Sequence, residues 1–274
     1  MSHTSEHTPG PKMITVAISP CPNDTFVFAG WILGRVGELP GLSTRFLWED
    51  VQDLNLLALR GQTQVTKVSA AQALRLETRC SILSAGAAFG LEHGPRLVAR
   101  PGRDTLPRTI AVPGLQTTAC ALLQAALGDH SWRPVPMEYD RIIQAVSLGQ
   151  VEAGLLIHES ALVYQRYGFR CLLDIGQWWR EKSRGLPLPL GCIVIDKSLG
   201  TTVPAQVQEL IRSSLSWSHG HREETTPLLT ALAQELDAST LEAHVSAYVN
   251  DLSFDMGEAG LRALACLRDL IHTT

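Results

Sequence analysis

The chain has 274 residues, of which 45% are hydrophobic and 18% are charged, so it can bury a full core as one large globular domain or as two smaller ones. Its formal net charge of −4, without a basic block, argues against nucleic acid or an anionic membrane surface as the main partner. Any anionic ligand must therefore be held by a local site.

The 6 cysteines are scattered, without the spacing of a zinc site or of a compact disulfide framework, which predicts free thiols in a reducing cytoplasm. Residues 1–12 are polar and lack the apolar segment of a secretion signal, and no later run is long and apolar enough to span a bilayer. We expect 1–12 to be a disordered tail of a cytoplasmic protein.

The first predicted strand, 13–19, runs into the segment Ser-Pro-Cys-Pro-Asn-Asp-Thr-Phe at 19–26, which opens an apolar helix. Its two prolines restrict φ on either side of Cys21, and the side chains at 23–25 are suited to cap the helix. The free amides of that helix start would face a ligand. A strand-turn-helix junction of this kind occurs in every α/β domain, so its chemistry alone does not specify a function.

Two later stretches resemble each other: 54–62 leads to a strand that ends at Ser69, and 142–150 leads to a strand that ends at His158. Each is a helix, a Gly-Gln stop and a strand, which indicates two similar α/β lobes. Open α/β sheets bind ligands beyond the carboxyl ends of their strands, so facing lobes would bring Ser69 and His158 together.

Short apolar runs alternate with helical segments up to residue 196, the pattern of an α/β fold with mainly parallel sheets. The chain then becomes helical only. Strands are predicted at 13–19, 43–48, 65–69, 81–85, 96–100, 109–112, 135–138, 153–158 and 191–195, and the late helices at 204–218, 223–236, 239–248 and 257–272. The predicted division is 1–12 tail, 13–100 plus 196–274 as a discontinuous first lobe with the C-terminal helices, and 101–195 as the second lobe.

Several polar residues have both a structural and a functional interpretation. His158 is either a hydrogen-bonded structural group or a general base, since an imidazole accepts a proton near neutral pH. Thr117 and Thr118 either cap the helix that follows or help to hold an anion at its amides. Lys67, inside a strand, is either paired within the protein or in contact with a substrate.

Four motifs in order resemble those of the 1,4-dihydroxy-6-naphthoate synthase family: the segment 19–26, Thr-Lys-Val-Ser at 66–69, Val-Pro-Gly at 112–114 with Thr-Thr-Ala at 117–119, and Ile-His-Glu-Ser at 157–160. Further similar segments lie at 48–51, 139–142, 185–191 and 248–250. The resemblance covers nearly the whole chain after the tail.

The resemblance implies a fold like that of type II periplasmic binding proteins, with a central ligand cleft. It also implies a cofactor-independent carbon–carbon lyase of menaquinone biosynthesis by the futalosine route. The substrate would be cyclic dehypoxanthinylfutalosine, a small-molecule carboxylate. The family's proton acceptor falls on His158, and its substrate contacts fall on Lys67, Val68, Ser69, Thr117 and Thr118. Asn23 is a further candidate contact.

Two other functions remain open: a non-catalytic small-molecule binding protein, and chorismate dehydratase of the same pathway, which lacks the motifs at 19–25 and 157–160. The flanking prolines favour a shaping role for Cys21 over a nucleophilic one. We predict no metal, because His158 and Glu159 would point to opposite faces of an extended strand. The oligomeric state is left undetermined by the sequence.

Overall fold

The computed structural model describes residues 12–102, 105–233 and 238–273. The predicted tail lies outside these ranges except for Lys12, which begins the first strand. The strands are β1 (Lys12–Ile18), β2 (Leu42–Trp48), β3 (Val65–Ser69), β4 (Cys80–Ile82), β5 (Ala88–Gly90), β6 (Arg96–Ala99), β7 (Thr109–Val112), β8 (Arg133–Pro136), β9 (Ala153–Leu156), β10 (Arg170–Asp174) and β11 (Leu188–Asp196).

Helices connect most of these strands and then make up the last part of the chain. They are α1 (Pro22–Ile32), α2 (Val51–Arg60), α3 (Ala70–Arg75), α4 (Thr118–Leu127), α5 (Tyr139–Ser147), α6 (Ser160–Val163), α7 (Ile175–Ser183), α8 (Val203–Gly220), α9 (Arg222–Leu232), α10 (Ala238–Tyr248), α11 (Asp251–Phe254) and α12 (Gly257–Thr273). The described ranges contain no helix with both the length and the apolar character needed to cross a membrane.

The strands form two sheets. The first has the order β2-β1-β3-β11-β4, with β5 paired to the beginning of β11, and the second has the order β10-β6-β9-β7-β8. Strands β1, β2 and β3 are parallel to one another, as are β7, β8 and β9. The predicted α/β class is confirmed, because each parallel set is connected through helices. The expectation of mainly parallel sheets is wrong, because β11 is antiparallel to β3, β4 and β5, and β6 is antiparallel to β9 and β10.

Two strands were not predicted. β5 is only three residues long and contains Ala and Gly, which have low strand propensity. β10 begins and ends with a charged residue and lies at the edge of the second sheet. The division into lobes stays a prediction. The chain passes from the first sheet to the second between β5 and β6, and it returns between α7 and β11.

Apolar side chains pack the two sheets against each other as well as against their own helices. One cluster joins Val68 of β3 to Ile110 of β7, Leu122 of α4, Trp179 of α7 and Leu264 of α12. It therefore continues from one sheet to the other, with the C-terminal helix covering both. This packing holds the carboxyl ends of β3 and β9 near the same space.

Candidate active site

Two adjoining, partly open cavities lie where the two sheets meet, with volumes of about 440 and 480 Å³ when the space open to solvent is included. They share the side chains of Val51, Ser69, His158, Leu190 and Tyr248. The first also contacts Pro95, Thr117, Thr118, Ala119 and Ile157, and the second Ser19, Asn23, Asp24, Leu54, Lys67, Val68, Ala88 and Gly191. All the residues proposed from the sequence as substrate contacts or base thus line one continuous space.

Helix α1 brings Asn23 and Asp24 into this space. The predicted capping role of residues 23–25 is wrong: Cys21 is the N-cap, with an extended backbone and no side-chain cap bond. The helix therefore begins at Pro22, which has no N–H to be capped. Asn23 and Asp24 lie inside the first turn, and their side chains make polar contacts across the site.

Lys67 forms a buried ion pair. Its Nζ lies 2.8 Å from Asp24 Oδ1 and donates to the carbonyl oxygen of Gly86 at 2.8 Å. Asn23 Nδ2 donates to the same Asp24 oxygen at 2.8 Å. The ammonium is thus paired within the protein, as one of its two sequence interpretations supposed, while the side chain still lines the cavity.

Ser69, at the end of β3, is fixed by Asn55. Ser69 N–H donates to Asn55 Oδ1 at 2.9 Å, and Asn55 Nδ2 donates to Ser69 Oγ at 3.1 Å. Asn55 is fully buried and lies beneath the cavity wall. The position of the Ser69 hydroxyl is therefore set before any ligand arrives.

Thr117 and Thr118 use their hydroxyls within the protein. Thr117 Oγ1 caps α4 by accepting from Cys120 N–H at 3.2 Å, which confirms the predicted capping role. Thr118 Oγ1 accepts from Ala71 N–H at 3.0 Å and donates to the carbonyl of Leu190 at 3.1 Å. Thr117 thus occupies the amide of Cys120, and the N–H groups of Thr118 and Ala119, which have no acceptor within the helix, are the ones suited to an anionic group of a ligand.

His158 differs from these residues, whose polar side-chain atoms are hydrogen-bonded within the protein. The predicted strand 153–158 is wrong at its end, because β9 stops at Leu156 and the chain turns into α6. His158 takes a positive φ of 53° in this turn. Its Nε2 is buried and has no hydrogen-bond partner, although the residue lines both cavities.

Burial is the main cause that lowers the pKa of His158 to about 4, with the nearby Glu159 opposing this effect and His244 adding to it. The ring is held edge-on by Tyr139, at 4.9 Å between centroids, and lies nearly parallel to His244, at 5.9 Å. His158 is therefore neutral at neutral pH, with an uncommitted nitrogen at the cavity. A neutral imidazole in this position can accept a proton.

Sequence reasoning missed His244 and Glu159. His244 Nε2 lies 2.9 Å from Asn23 Oδ1, and its Nδ1 lies 3.1 Å from Glu159 Oε2. The signal for His244 was its place on the apolar face of α10, in helical spacing with Leu241 and Tyr248. The sequence placed Glu159 on an extended strand, pointing away from His158. Both residues lie instead in the turn between β9 and α6.

Cys21, the N-cap residue of α1, lies near Glu159 and Asp24. Burial and the nearby carboxylates of Glu159 and Asp24 raise the pKa of its thiol well above the ordinary value. Its backbone N–H donates to Ser19 Oγ at 3.2 Å. A thiol kept protonated in this way is a poor nucleophile, which supports a shaping role. The described residues include no group of three or more His, Cys, Asp or Glu side chains placed to hold a metal ion.

Gln52 and Gln116 connect α2 to the loop before α4, next to the cavity-lining residues Val51 and Thr117. Gln52 Nε2 donates to Gln116 Oε1, and Gln116 N–H donates to Gln52 Oε1 at 3.4 Å. Gly114, in the same loop as Gln116, has a φ of +146°, and a Cβ at this position would collide with the Gln52 side chain. Glycine is therefore required where this loop approaches α2.

Comparison with known proteins agrees with the sequence resemblance. A family model described as menaquinone biosynthesis matches residues 14–273. The chain belongs to this family. It is 42% identical over 257 residues to a 1,4-dihydroxy-6-naphthoate synthase of Thermus thermophilus, with 93% of each chain covered. It is 36% identical over 256 residues to the enzyme of the same name in Streptomyces coelicolor, covering 92% of this chain and 90% of the relative.

Solved structures show that the fold of this menaquinone biosynthesis protein is shared more widely. A crystal structure of an Archaeoglobus fulgidus protein has a TM-score of 0.88 and 35% identity, covering 95% of this chain and 97% of that one. A Candida albicans protein described as having the generic periplasmic binding protein fold has a TM-score of 0.69 and 12% identity, covering 95% and 94%. The predicted periplasmic-binding-protein-like fold and the predicted role in menaquinone biosynthesis are confirmed.

Proposed function

We propose that the protein is a carbon–carbon lyase that converts cyclic dehypoxanthinylfutalosine to 1,4-dihydroxy-6-naphthoate, with His158 as the general base. The names of two relatives that match more than nine-tenths of the chain support this activity. The observation that carries the proposal is the free Nε2 of His158, buried at the shared wall of the two cavities.

The substrate joins a sugar-derived ring to a partly reduced bicycle, and loss of the sugar fragment produces an aromatic diol. Aromatisation supplies the driving force, so the protein has to remove a proton and hold the substrate while the carbon–carbon bond breaks. His158 removes the proton. Closure of the two lobes around the substrate excludes water from the reacting atoms.

The remaining cavity residues hold the substrate. The start of α4, at Thr118 and Ala119 after the cap residue Thr117, offers backbone N–H groups to the substrate carboxylate. Lys67, Val68, Ser69 and Asn23 contact the substrate from the other cavity. None of these roles uses a cofactor. Opposite sides of the site are supplied by the two lobes, one at 101–195 and the other formed by 13–100 and 196–274. The protein works in the reducing cytoplasm, in keeping with its six free cysteines.

The deciding experiment is incubation of the purified protein with cyclic dehypoxanthinylfutalosine, without added cofactor or metal, followed by mass detection of the product. Formation of 1,4-dihydroxy-6-naphthoate is the expected result. Tight binding without product would show a binding protein rather than a lyase. If there is neither binding nor product, this compound is not the substrate. A parallel incubation with chorismate tests dehydration, which would identify the other enzyme of the pathway.

A further inference from the structure

The Nε2 atom of the buried His244 ring lies against the side-chain amide of Asn23. The hydrogen bonds around Asn23 determine that the amide oxygen, and not the amide nitrogen, faces the ring. Asp24 Oδ1 receives both Lys67 Nζ and the amide nitrogen of Asn23. An ionised carboxylate only accepts hydrogen bonds, so the amide nitrogen of Asn23 must point toward Asp24. The amide oxygen is then the atom 2.9 Å from His244 Nε2. Because this oxygen cannot donate, Nε2 carries a proton.

The other ring nitrogen of His244 faces an anion. Its Nδ1 is 3.1 Å from Glu159 Oε2, which is within the distance of an ion pair. Burial acts to raise the pKa of Glu159, the contact with His244 is the largest cause that lowers it, and the pKa lies below its ordinary value, so the carboxylate and the ring each favour the other's charged form. A lone pair on Nδ1 would face this ionised oxygen in a buried space. A proton there makes an ion pair instead.

We infer that Asn23 and Glu159 hold His244 as an imidazolium, and that His244 is a positioning residue that keeps the neighbouring His158 ring in place and extends its neutral range to lower pH. His244 lines neither cavity and therefore has no contact with substrate. Its effect reaches the site through the nearly parallel His158 ring, at 5.9 Å between centroids. Two imidazolium rings at this distance repel, so the proton on His244 disfavours a second one on His158.

The other groups around His158 divide by charge. Lys67 acts with His244 against protonation of His158, whereas Glu159 and Asp24 act in its favour. Tyr139 contacts the edge of the ring, and Tyr248 contacts His244 from the same helix, at 5.1 Å between centroids. Burial raises the pKa of each of these phenols, so both are neutral. Among these neighbours, His244 is the cation whose ring packs against His158.

The first test uses ¹⁵N NMR of the histidine side chains in the ligand-free protein at neutral pH. His244 should show two protonated ring nitrogens and His158 only one, with the two signals assigned from their loss in His244→Gln and His158→Asn. In Glu159→Gln the anion is removed, and His244 should then lose the proton on Nδ1. A wild-type His244 with one protonated nitrogen would overturn the inference, whether or not the protein proves to be a lyase.

The second test follows the titration of His158 itself. In His244→Gln its pKa should rise by up to about two pH units, which is the interaction of two unit charges at this separation with an effective dielectric constant of about 20. The exposed His221, replaced in His221→Gln, is the matched control and should leave the titration unchanged. An unchanged His158 titration in folded His244→Gln would show that His244 is only structural.

The effect on catalysis rests on the proposed function. If His158 is the base, the acid limb of kcat/KM should move to higher pH in His244→Gln by the same amount as the titration. A limb that stays in place while the titration moves would remove His158 as the base but leave the charge assignment of His244 standing. These results distinguish failure of the charge assignment of His244 from failure of the proposed function.

Discussion

The two walls of the cavity differ in how completely their polar groups are satisfied. On the side of the first sheet, Lys67 is paired with Asp24 and Ser69 is bound by Asn55. On the side of the second sheet, His158 presents a buried nitrogen without a partner, in a strained backbone conformation. The first wall is suited to holding a ligand in a fixed place and the second to reacting with it. Substitutions should therefore affect stability on one wall and turnover on the other.

The largest expected effect on turnover is that of His158→Asn. Asparagine tolerates the left-handed backbone at this position better than other residues, so the variant should fold with little change in melting temperature. Loss of the base should lower kcat/KM by about 10²–10⁴-fold. Steady-state kinetics and thermal unfolding on the same preparation measure both. Normal turnover in the folded variant would remove His158 as the base.

Lys67→Met should give the largest loss of stability on the other wall. The change leaves the Asp24 carboxylate buried at 3% exposure without its cation, which costs about 3–5 kcal/mol. Urea unfolding measures it. The double variant Lys67→Met/Asp24→Leu removes the stranded charge and should recover most of the loss. A single variant as stable as the wild type would contradict the buried ion pair.

Asn55→Ala should produce a smaller effect on the same wall. It leaves the buried N–H of Ser69 without its acceptor, which costs about 1–3 kcal/mol in the free energy of unfolding. The freed serine should also raise KM more than it lowers kcat, because it holds the substrate rather than reacts with it. An equal fall of kcat and kcat/KM, with KM unchanged, would assign Ser69 to the chemical step instead.

The pH dependence separates the walls without any substitution. His158 is active when neutral, and its pKa is lowered to about 4, so kcat/KM should hold steady from neutral pH and fall only near pH 4. Stability changes in the same direction as activity. In the unfolded chain this histidine binds its proton near pH 6.5, so the folded state loses stability as the pH falls from 6.5 toward 4. His158→Asn should lack that part of the loss. An acid limb already near 6.5 would contradict the buried environment.

The smallest expected effect is that of Arg35→Ala. Arg35 and Glu224 form an ion pair at 3.0 Å, but their side chains are 55% and 46% exposed. Exposed pairs of this kind contribute about 0–1 kcal/mol. Urea unfolding beside Lys67→Met compares an exposed pair with a buried one. A loss as large as that of Lys67→Met would show that burial does not decide the strength of these pairs.

Simple rules predicted those parts of the site that depend on local sequence. The pattern of strand ends predicted Ser69 and His158 at the ligand-facing edges of two facing lobes, and both residues line the two adjoining cavities. The hydroxyl pattern before α4 predicted the cap made by Thr117. These features depend on a few neighbouring residues, so the sequence shows them directly.

The rest depends on contacts between distant parts of the chain. Nothing near His244 indicates that Asn23, 221 residues earlier, accepts from its ring. The left-handed turn at His158 was not predicted, because the apolar residues before it have the pattern of a strand that continues to 158. Tertiary packing decides where that strand stops, and local propensity does not record it.

The bridge between Gln52 and Gln116 has a consequence for the link between α2 and the loop before α4. Two neutral hydrogen bonds contribute together about 1–3 kcal/mol, so parting them alone leaves this link open in roughly one molecule in 5 to one in 150. Neutral amides do not titrate and are barely screened by salt. The fraction of molecules in which this link is open should therefore vary with temperature and hardly at all with ionic strength.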